Sequence, residues 1–456
     1  DTDGHGTHVA AIAAGNGMNP SLIGEPDFDR AGIAPEAEII AVNLLDSEDS
    51  TVSDVIKFRD ALVYIIEKAR VSSPDKAVVI NMSFGVSLGA HDGRGDEGDN
   101  TDEEVINEVF HEKEGVIGIA AAGNESGIFQ HLEITLKGTS PDNIIKIPFF
   151  VERNQGYEQD GSSLYIDMWY GIDDNPGVKL WFKPPGGVLS NPSILEGADV
   201  VGDFNNGKCE FGIEHTKKES LSDLRGNVTR ANIEIYISPK KRKLQLGDGY
   251  QLLVSGKENT KIHLWVNPDP NFRINFDKSL IDVEDGVEIS DRSTISSPGH
   301  CPEIITVGSF EKDRNRLSCF SSRGPVLSYT SSGPIAEKPD VVAPGKQISS
   351  AKAEACKCGR GWLYDTYIRF NGTSMSAPHV AGMVALMLEK NNKLKLEKIK
   401  EHLKSASEDG GLKYIETDIC GNRDDGIETN SSSPIVGKTE VGLGRVNVKA
   451  TVDLVS

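Results

Sequence analysis

Asn371-Gly372-Thr373-Ser374-Met375-Ser376-Ala377-Pro378-His379-Val380-Ala381-Gly382 runs from a small polar loop straight into an apolar segment, Val380 to Leu388. Met383, Val384, Leu386, Met387 and Leu388 leave that segment no polar face, so it reads as a helix buried on all sides. Glu389 and Lys390 mark where it reaches the surface. Pro378 is expected in the first turn, where a missing N–H costs little. Ser374 then sits at the N-terminal end of a central helix among backbone N–H groups with no intrahelical acceptor. A serine so placed can attack a carbonyl while those N–H groups hold the oxyanion that forms. Taken alone, a serine in a Gly-Thr-Ser turn also reads as a helix cap.

The full string is more specific than its parts. Gly372 to Gly382 resembles the nucleophile motif of the subtilases, the subtilisin-like serine proteases. The resemblance implies that Ser374 is the nucleophile and that Ser376 and His379 are structural members of the helix start.

A second match opens the chain. Asp1-Thr2-Asp3-Gly4-His5-Gly6-Thr7-His8-Val9-Ala10-Ala11 resembles the subtilase histidine motif, in which the first His is catalytic. His5 is thereby implied to be the general base that takes the Ser374 proton and returns it to the leaving amine. His5 and His8 are three apart and could share a helix face as metal ligands. No Glu follows His5 as in the HExxH pattern of zinc proteases, so no metal is expected at this pair. His8 is expected to be a packed helix residue.

Between these motifs lies an alternating pattern. Ile39 to Leu45 reads as a buried strand, and residues 53–70 carry Val55, Ile56, Phe58, Ala61, Leu62, Ile65 and Ile66 on a helical period. Ala77 to Met82 reads as a central strand, Thr101-Asp102-Glu103-Glu104 as a capping box opening a helix, and Val116 to Ala121 as the next strand. Strands alternating with helices predict a parallel α/β sheet.

Sites in such sheets gather at the C-terminal ends of strands. Ser83, Phe84 and Gly85 end one strand; Ala121, Ala122, Gly123 and Asn124 end the next. Read singly, both are ordinary turns. By the subtilase resemblance, Ser83 to Gly85 pair with extended substrate and wall the S1 pocket. Ala121 to Gly123 form the other wall, and Asn124 is the oxyanion donor. Phe84 and the alanines suggest apolar P1 residues.

From about residue 127 helix signals vanish until residue 373. Asn143 to Val151, Leu164 to Tyr170, Val178 to Phe182, Ala231 to Ser238, Tyr250 to Ser255 and Lys261 to Asn267 are short runs bounded by Gly, Pro and Asp. Ile233, Ile235 and Ile237 alternate with Asn232, Glu234 and Tyr236, which predicts an antiparallel β-sandwich or jelly roll. The subtilase resemblance resumes near residue 295 with Pro298 to Gly308, Phe320 to Pro325 and Lys338 to Gly345, and closes with Gly442 to Asn447. An amphipathic helix is expected at about Lys395 to Ser407.

The expected organisation is a subtilisin-like α/β domain in two parts, residues 1–126 and 295–456. A β-sandwich domain, residues 127–294, is inserted between them. That insertion resembles the one in the clostridial spore-germination proteases. Because Asn124 and Ser374 must meet around one carbonyl, both ends of the insertion should return near the site.

Bulk properties bound the partners. With 48 Lys and Arg against 69 Asp and Glu, the chain of 456 residues carries a net charge of −21, which argues against nucleic acid or an anionic membrane as partner. No run of about 18 apolar residues occurs, so no membrane span is expected. Six cysteines, Cys209, Cys301, Cys319, Cys356, Cys358 and Cys420, contain no CxxC pair, a spacing that speaks against a zinc site. No cofactor is required by the expected chemistry. Structural calcium is the one ion considered, with Asp173-Asp174-Asn175 as a candidate acidic loop. The expected partners are a protein or peptide substrate and a propeptide or partner on the β insertion. An extracellular or cell-envelope location follows from the resemblance.

In one respect the sequence departs from the family. A subtilase triad needs an Asp in a motif upstream of the His, and nothing precedes Asp1. Asp1 and Asp3 flank His5 too closely to serve its far nitrogen, so the triad Asp and the first strand are expected outside this chain, as in a fragment. Two readings result: a serine endopeptidase acting through an acyl-enzyme, or a catalytically inactive subtilase used as a binding or regulatory module.

Overall fold

The structure is a computed structural model. It describes residues 3–18, 30–44, 55–94, 101–127, 130–153, 163–172, 176–219, 228–240, 243–267, 272–276, 286–329, 336–354, 366–407 and 445–455. Asp1, the Asp173–Asn175 loop and Gly442 to Gly444 lie outside these residues. In chain order, α1 (His5–Ala14), α2 (Val55–Arg70), β1 (Val78–Met82), α3 (Asp102–Phe110) and β2 (Val116–Ala121) come first. Twelve strands follow: β3 (His131–Thr135), β4 (Ile145–Arg153), β5 (Leu164–Gly171), β6 (Lys179–Lys183), β7 (Ser193–Ile194), β8 (Val200–Phe204), β9 (Cys209–Glu219), β10 (Thr229–Pro239), β11 (Gly247–Ser255), β12 (Lys261–Val266), β13 (Phe272–Phe276) and β14 (Val287–Ser290). Then come β15 (Ile305–Glu311), β16 (Arg316–Leu317), β17 (Val341–Pro344), β18 (Ile348–Ala351), β19 (Tyr367–Phe370), α4 (Thr373–Lys390), α5 (Leu396–Ala406) and α6 (Val448–Asp453).

β1, β2, β15 and β17 lie side by side and parallel, with β16 turned back antiparallel on the end of β15. β2 and β15 are buried at every position, as expected for strands covered on both faces. One face packs on α4, whose Ala377, Val380, Met383, Val384 and Met387 are almost wholly buried against Ile119, Ile305, Val307 and Val341. The other face packs on α2 and α3 through Phe58, Leu62, Ile106 and Phe110. Thr101 caps α3 by accepting from the Glu104 N–H at 3.4 Å. No described helix is long and apolar enough to cross a membrane.

The expected strand at Ile39–Leu45 is absent. Residues 39–44 make no ladder, Ile39 is 55% exposed, and Leu45 lies outside the described residues. A β-branched run becomes a strand only beside a neighbour offering N–H and C=O groups, and among the described residues β1 pairs with β2 alone. Pro378 also differs from expectation. α4 starts at Thr373, which puts Pro378 sixth, in the second turn.

Strands β3 to β14 form two antiparallel sheets. One has the order β14-β3-β12-β5-β10-β9-β8, the other β13-β4-β11-β6-β7. Their inner faces meet in a core that includes Ile147, Phe149, Leu180, Phe182, Ile233, Ile235, Tyr250, Leu252 and Leu264, each no more than 2% exposed. All six strands expected from alternation are present, as β4, β5, β6, β10, β11 and β12. The alternation fails on β12, where the outward-facing His263 and Trp265 are buried as well. The cause is a docked loop, residues 87–94. His91 stacks on Trp265 at 4.2 Å, the Gly89 N–H donates to Asp167 Oδ2 at 2.7 Å, and Arg230 pairs with Asp92, both 1% exposed. At the other junction the Gly127 N–H donates to Asp291 Oδ1 at 3.0 Å, so the two ends of the stretch close on each other.

A buried ion pair that loses one partner leaves an uncompensated charge, at a cost of about 3–5 kcal/mol. Arg230→Met is expected to lower unfolding stability by about that amount. Arg230→Met combined with Asp92→Leu should recover most of it, as denaturant titration of both variants would show.

Candidate active site

Eight backbone units beyond His5 and Ser374 respectively, Ala13 and Gly382 touch. A Cβ on Gly382 would stand 2.8 Å from the Ala13 carbonyl oxygen. Nearer the helix starts, Met375 packs with Val9 and Ile12. α1 and α4 therefore run side by side in the same sense, and the first residue of one and the second of the other share an end of the pair. His8, 0% exposed, holds this arrangement from behind. Its Nε2 lies 3.0 and 3.1 Å from the Ile348 and Ile368 carbonyls of the β18–β19 hairpin, and burial brings its pKa down to about 4. It is the packed residue expected. Burial also lowers the pKa of His5 below its ordinary value, opposed by the charge of Asp3. Asp3 Oδ1 accepts from the His5 backbone N–H at 2.8 Å.

Ser374 is tied to the end of β1 by two reciprocal bonds. Its Oγ donates to the Ser83 carbonyl at 3.1 Å, and Ser83 Oγ donates to the Ser374 carbonyl at 2.9 Å. The second bond follows from Pro378. Four residues after Ser374, proline has no N–H to give, so the Ser374 carbonyl is free for a side chain. Asn81 Nδ2 in turn donates to Ser83 Oγ at 2.9 Å.

Asn124 meets the same helix start. Its Oδ1 accepts from the Thr373 N–H at 2.9 Å and from Thr373 Oγ1 at 3.2 Å. These bonds assign the amide oxygen and turn Nδ2 the other way, as a donor. Thr373, 0% exposed, also receives the Gly123 N–H on Oγ1 at 3.1 Å. The Ser374 N–H, at the second helical position, has no intrahelical acceptor. Asn124 Nδ2 and the Ser374 N–H are thus two donors available at one helix end, the arrangement that stabilises a tetrahedral oxyanion.

The remaining sequence candidates fall into two groups. Gly85 lies against the loop before β15; a Cβ there would stand 2.7 Å from the Ser297 carbonyl oxygen, so this close approach requires glycine. Gly123, at φ 105°, would put a Cβ 2.1 Å from Glu125 Oε2. Phe84 is half-buried, and its ring packs edge-on against Phe58 at 5.9 Å. Ala121 and Ala122 are 5% and 0% exposed, held by the strand-like bonds Ala122 N–H to Val307 O and Ser296 N–H to Ala122 O.

Two groups escaped sequence reasoning. Thr373 stands inside the decisive motif, but its partners are 249 and 250 positions away. Glu125 is half-buried beside the Asn124 turn, where its Oε2 accepts from Ser296 Oγ at 2.9 Å and Ser322 Oγ at 2.7 Å. Burial raises its pKa against those bonds. Ser376 and His379 are structural, as expected: Ser376 Oγ donates to the Ala343 carbonyl at 3.0 Å, and His379 Nδ1 lies 2.8 Å from the Met375 carbonyl.

A sequence profile described as the subtilase family matches residues 1–163 and 273–428, well over half of the chain. The chain belongs to the subtilase family. Serine protease AprX of Bacillus subtilis (strain 168) is 37% identical to it over 130 residues, 26% of this chain and 28% of that protein. A PI-type proteinase of Lactococcus lactis subsp. cremoris is 23% identical over 477 residues, 98% of this chain and 22% of its own length. Subtilisin-like protease SBT2.3 of Arabidopsis thaliana is 25% identical over 99% of this chain and 53% of its own length. The subtilase chain thus spans 22–53% of these relatives. Among solved structures, the Clostridium perfringens CspB protease superposes with a TM-score of 0.69 over 99% of this chain and 81% of that one, at 22% identity. The two share the subtilisin-like α/β fold.

The Thr373 hydroxyl anchors the Gly123–Asn124 turn through neutral hydrogen bonds worth about 1 kcal/mol each. Thr373→Ala should therefore slow the reaction of Ser374 with a fluorophosphonate by about tenfold. Thr373→Ser, which keeps the hydroxyl, should restore the rate in the same assay.

Proposed function

We propose that this subtilase is a serine endopeptidase that hydrolyses peptide bonds through an acyl-enzyme. The observation that carries the reading is Asn124 Oδ1 clamped by Thr373, which leaves the amide nitrogen as the outward donor beside the start of the Ser374 helix. Ser374 Oγ attacks the carbonyl carbon and its proton passes to His5. Asn124 Nδ2 and the Ser374 N–H hold the resulting oxyanion. Collapse expels the amine, which takes the proton from His5, and a water then repeats the sequence on the acyl group. Substrate lies extended beside Ser83 to Gly85, with Ala121 to Gly123 across the S1 pocket. The carboxylate that steadies the His5 ring comes from outside the described residues, since Asp3 is engaged with the His5 backbone. Residues 127–294 form an inserted jelly-roll domain that presents a surface to a propeptide or partner. The enzyme works outside the cytoplasm or in the cell envelope, and its chemistry needs no cofactor.

A second reading, a subtilase that binds without cleaving, draws on one observation. Ser374 Oγ donates to the Ser83 carbonyl rather than to His5. A fluorophosphonate separates the two. The full-length protein should be labelled, Ser374→Ala should not, and a folded wild-type protein that resists the reagent would establish the binding reading. Asn124→Ala should lower kcat about 10²–10³-fold, a size known from a subtilisin rather than one derived from this geometry.

The base must be neutral to act, and burial keeps His5 neutral to lower pH than an exposed imidazole. Asp3 opposes that shift. Asp3→Asn is therefore expected to move the acid limb of the kcat/KM profile further down in pH. A limb that stays or rises would remove Asp3 from the titration of His5.

A further inference from the structure

Away from Ser374, the start of α3 meets the turn that precedes β15. Glu103, in the first turn of α3, has a side chain 14% exposed. His300 is 2% exposed and Cys301 is 1% exposed. One donor atom from each of the three lies within 4.8 Å of the other two. His300 Nε2 stands 2.6 Å from Glu103 Oε1, which also accepts from Ser297 Oγ at 2.9 Å. Other polar atoms here are bare. His300 Nδ1 is buried without a partner, Asp102 Oδ1 is buried without a partner, and Cys301 is a free thiol.

We propose that Glu103, His300 and Cys301 bind one divalent transition-metal ion of the zinc class, with a water as fourth ligand. The donor set selects the metal. Thiolate and imidazole suit zinc and its neighbours, whereas calcium takes six to eight oxygens. Bond lengths of about 2.0–2.3 Å around zinc place tetrahedral donors about 3.3–3.8 Å apart. The three donors stand within reach of that spacing. On binding, the contact between His300 and Glu103 opens and each group turns to the ion. The Cys301 thiol releases its proton to solvent. His300 ligates as a neutral imidazole with its single N–H on the ring nitrogen away from the metal.

The scaffold around the ligands is firm. The Cys301 N–H donates to the Pro298 carbonyl at 2.9 Å, and the Gly299 N–H to the Ser296 carbonyl at 2.7 Å. Ser297 exchanges backbone bonds of 3.0 and 2.8 Å with Val86, the residue after Gly85. A metal here would fasten α3 to the turn that backs the proposed substrate edge. The local spacing His300-Cys301 with Glu103 almost two hundred positions earlier contains no zinc motif, which is why the sequence argued against one.

Cobalt is the probe. The full-length protein, carrying Ser374→Ala to prevent self-cleavage, is titrated with Co²⁺ and followed by absorption. The expected result is one Co²⁺ per chain, with a thiolate-to-cobalt charge-transfer band, tetrahedral visible bands and displacement of both by Zn²⁺. Cys301→Ser should abolish the charge-transfer band, and Glu103→Gln and His300→Gln should each weaken binding at least about tenfold. Zn²⁺ should raise the unfolding midpoint of the parent and not of Cys301→Ser. A folded parent without the charge-transfer band overturns the proposal. So does a band that survives Cys301→Ser, which would mark another cysteine or an adventitious ion only. Should Cys301→Ser fail to fold, unchanged spectra in Glu103→Gln and His300→Gln overturn it equally, since both keep the thiol.

Discussion

The carbonyl of Ser374 is the point on which the site hangs. Pro378 cannot donate to it, so the helix leaves one acceptor open in its first turn. Ser83 Oγ takes that acceptor, and the Ser374 hydroxyl answers with a bond to the Ser83 carbonyl. One proline thus couples the end of β1 to the start of α4. A parallel sheet delivers its strand ends to one edge, and a helix packed along the sheet delivers its N-terminus to the same edge. The Ser83–Ser374 pair locks the two deliveries in register. Thr373 does the same for the neighbouring strand by holding both Gly123 and Asn124. The proposed oxyanion donors would therefore be set by backbone geometry fixed at both ends, which is the preorganisation that electrostatic catalysis requires.

The long β segment is bound to this framework through polar groups that water does not reach. Arg230 and Asp92 pair at 1% exposure, and Asp167 receives the Gly89 N–H. His91 lies flat on Trp265, which also stacks with His131 at 4.8 Å. The contacts of Asp92, Gly89 and His91 all fall on residues 87–94, the loop that continues from the Ser83–Gly85 edge. A buried ion pair adds little net stability but punishes any arrangement that breaks it. Its effect here is to specify one docking of the sheets on that loop. The cost is visible in the strand pattern. β12 gives up its polar outward face, because His263 and Trp265 face protein and not solvent.

Legibility in the sequence followed the range of the interactions involved. The Ser374 helix, the capping box at Thr101, the central strands and the alternating runs rest on neighbours a few residues apart, and all were readable. The Ile39–Leu45 run was read as a strand and is not one, because a strand needs a partner and residue type does not supply it. The contact of the Phe84 ring with Phe58 on α2 was not readable either, since the two lie 26 positions apart. Thr373 and Glu125 went unassigned because their roles depend on residues between 171 and 250 positions away.

The sequence by itself determined that a buried helix begins at a serine beside a proline, that strands and helices alternate on both sides of a β-rich stretch, and that the subtilase motifs stand at His5 and Ser374. These are matters of period, propensity and local string, and every copy of the chain carries them whatever it packs against. Only the tertiary structure decided that Asn124 turns its nitrogen outward, that the Ser374 hydroxyl rests on Ser83, and that Glu103 meets His300 and Cys301. Those outcomes depend on which orphaned donor finds which orphaned acceptor once water is removed. Partners hundreds of residues apart are chosen by burial, and no local pattern records the choice.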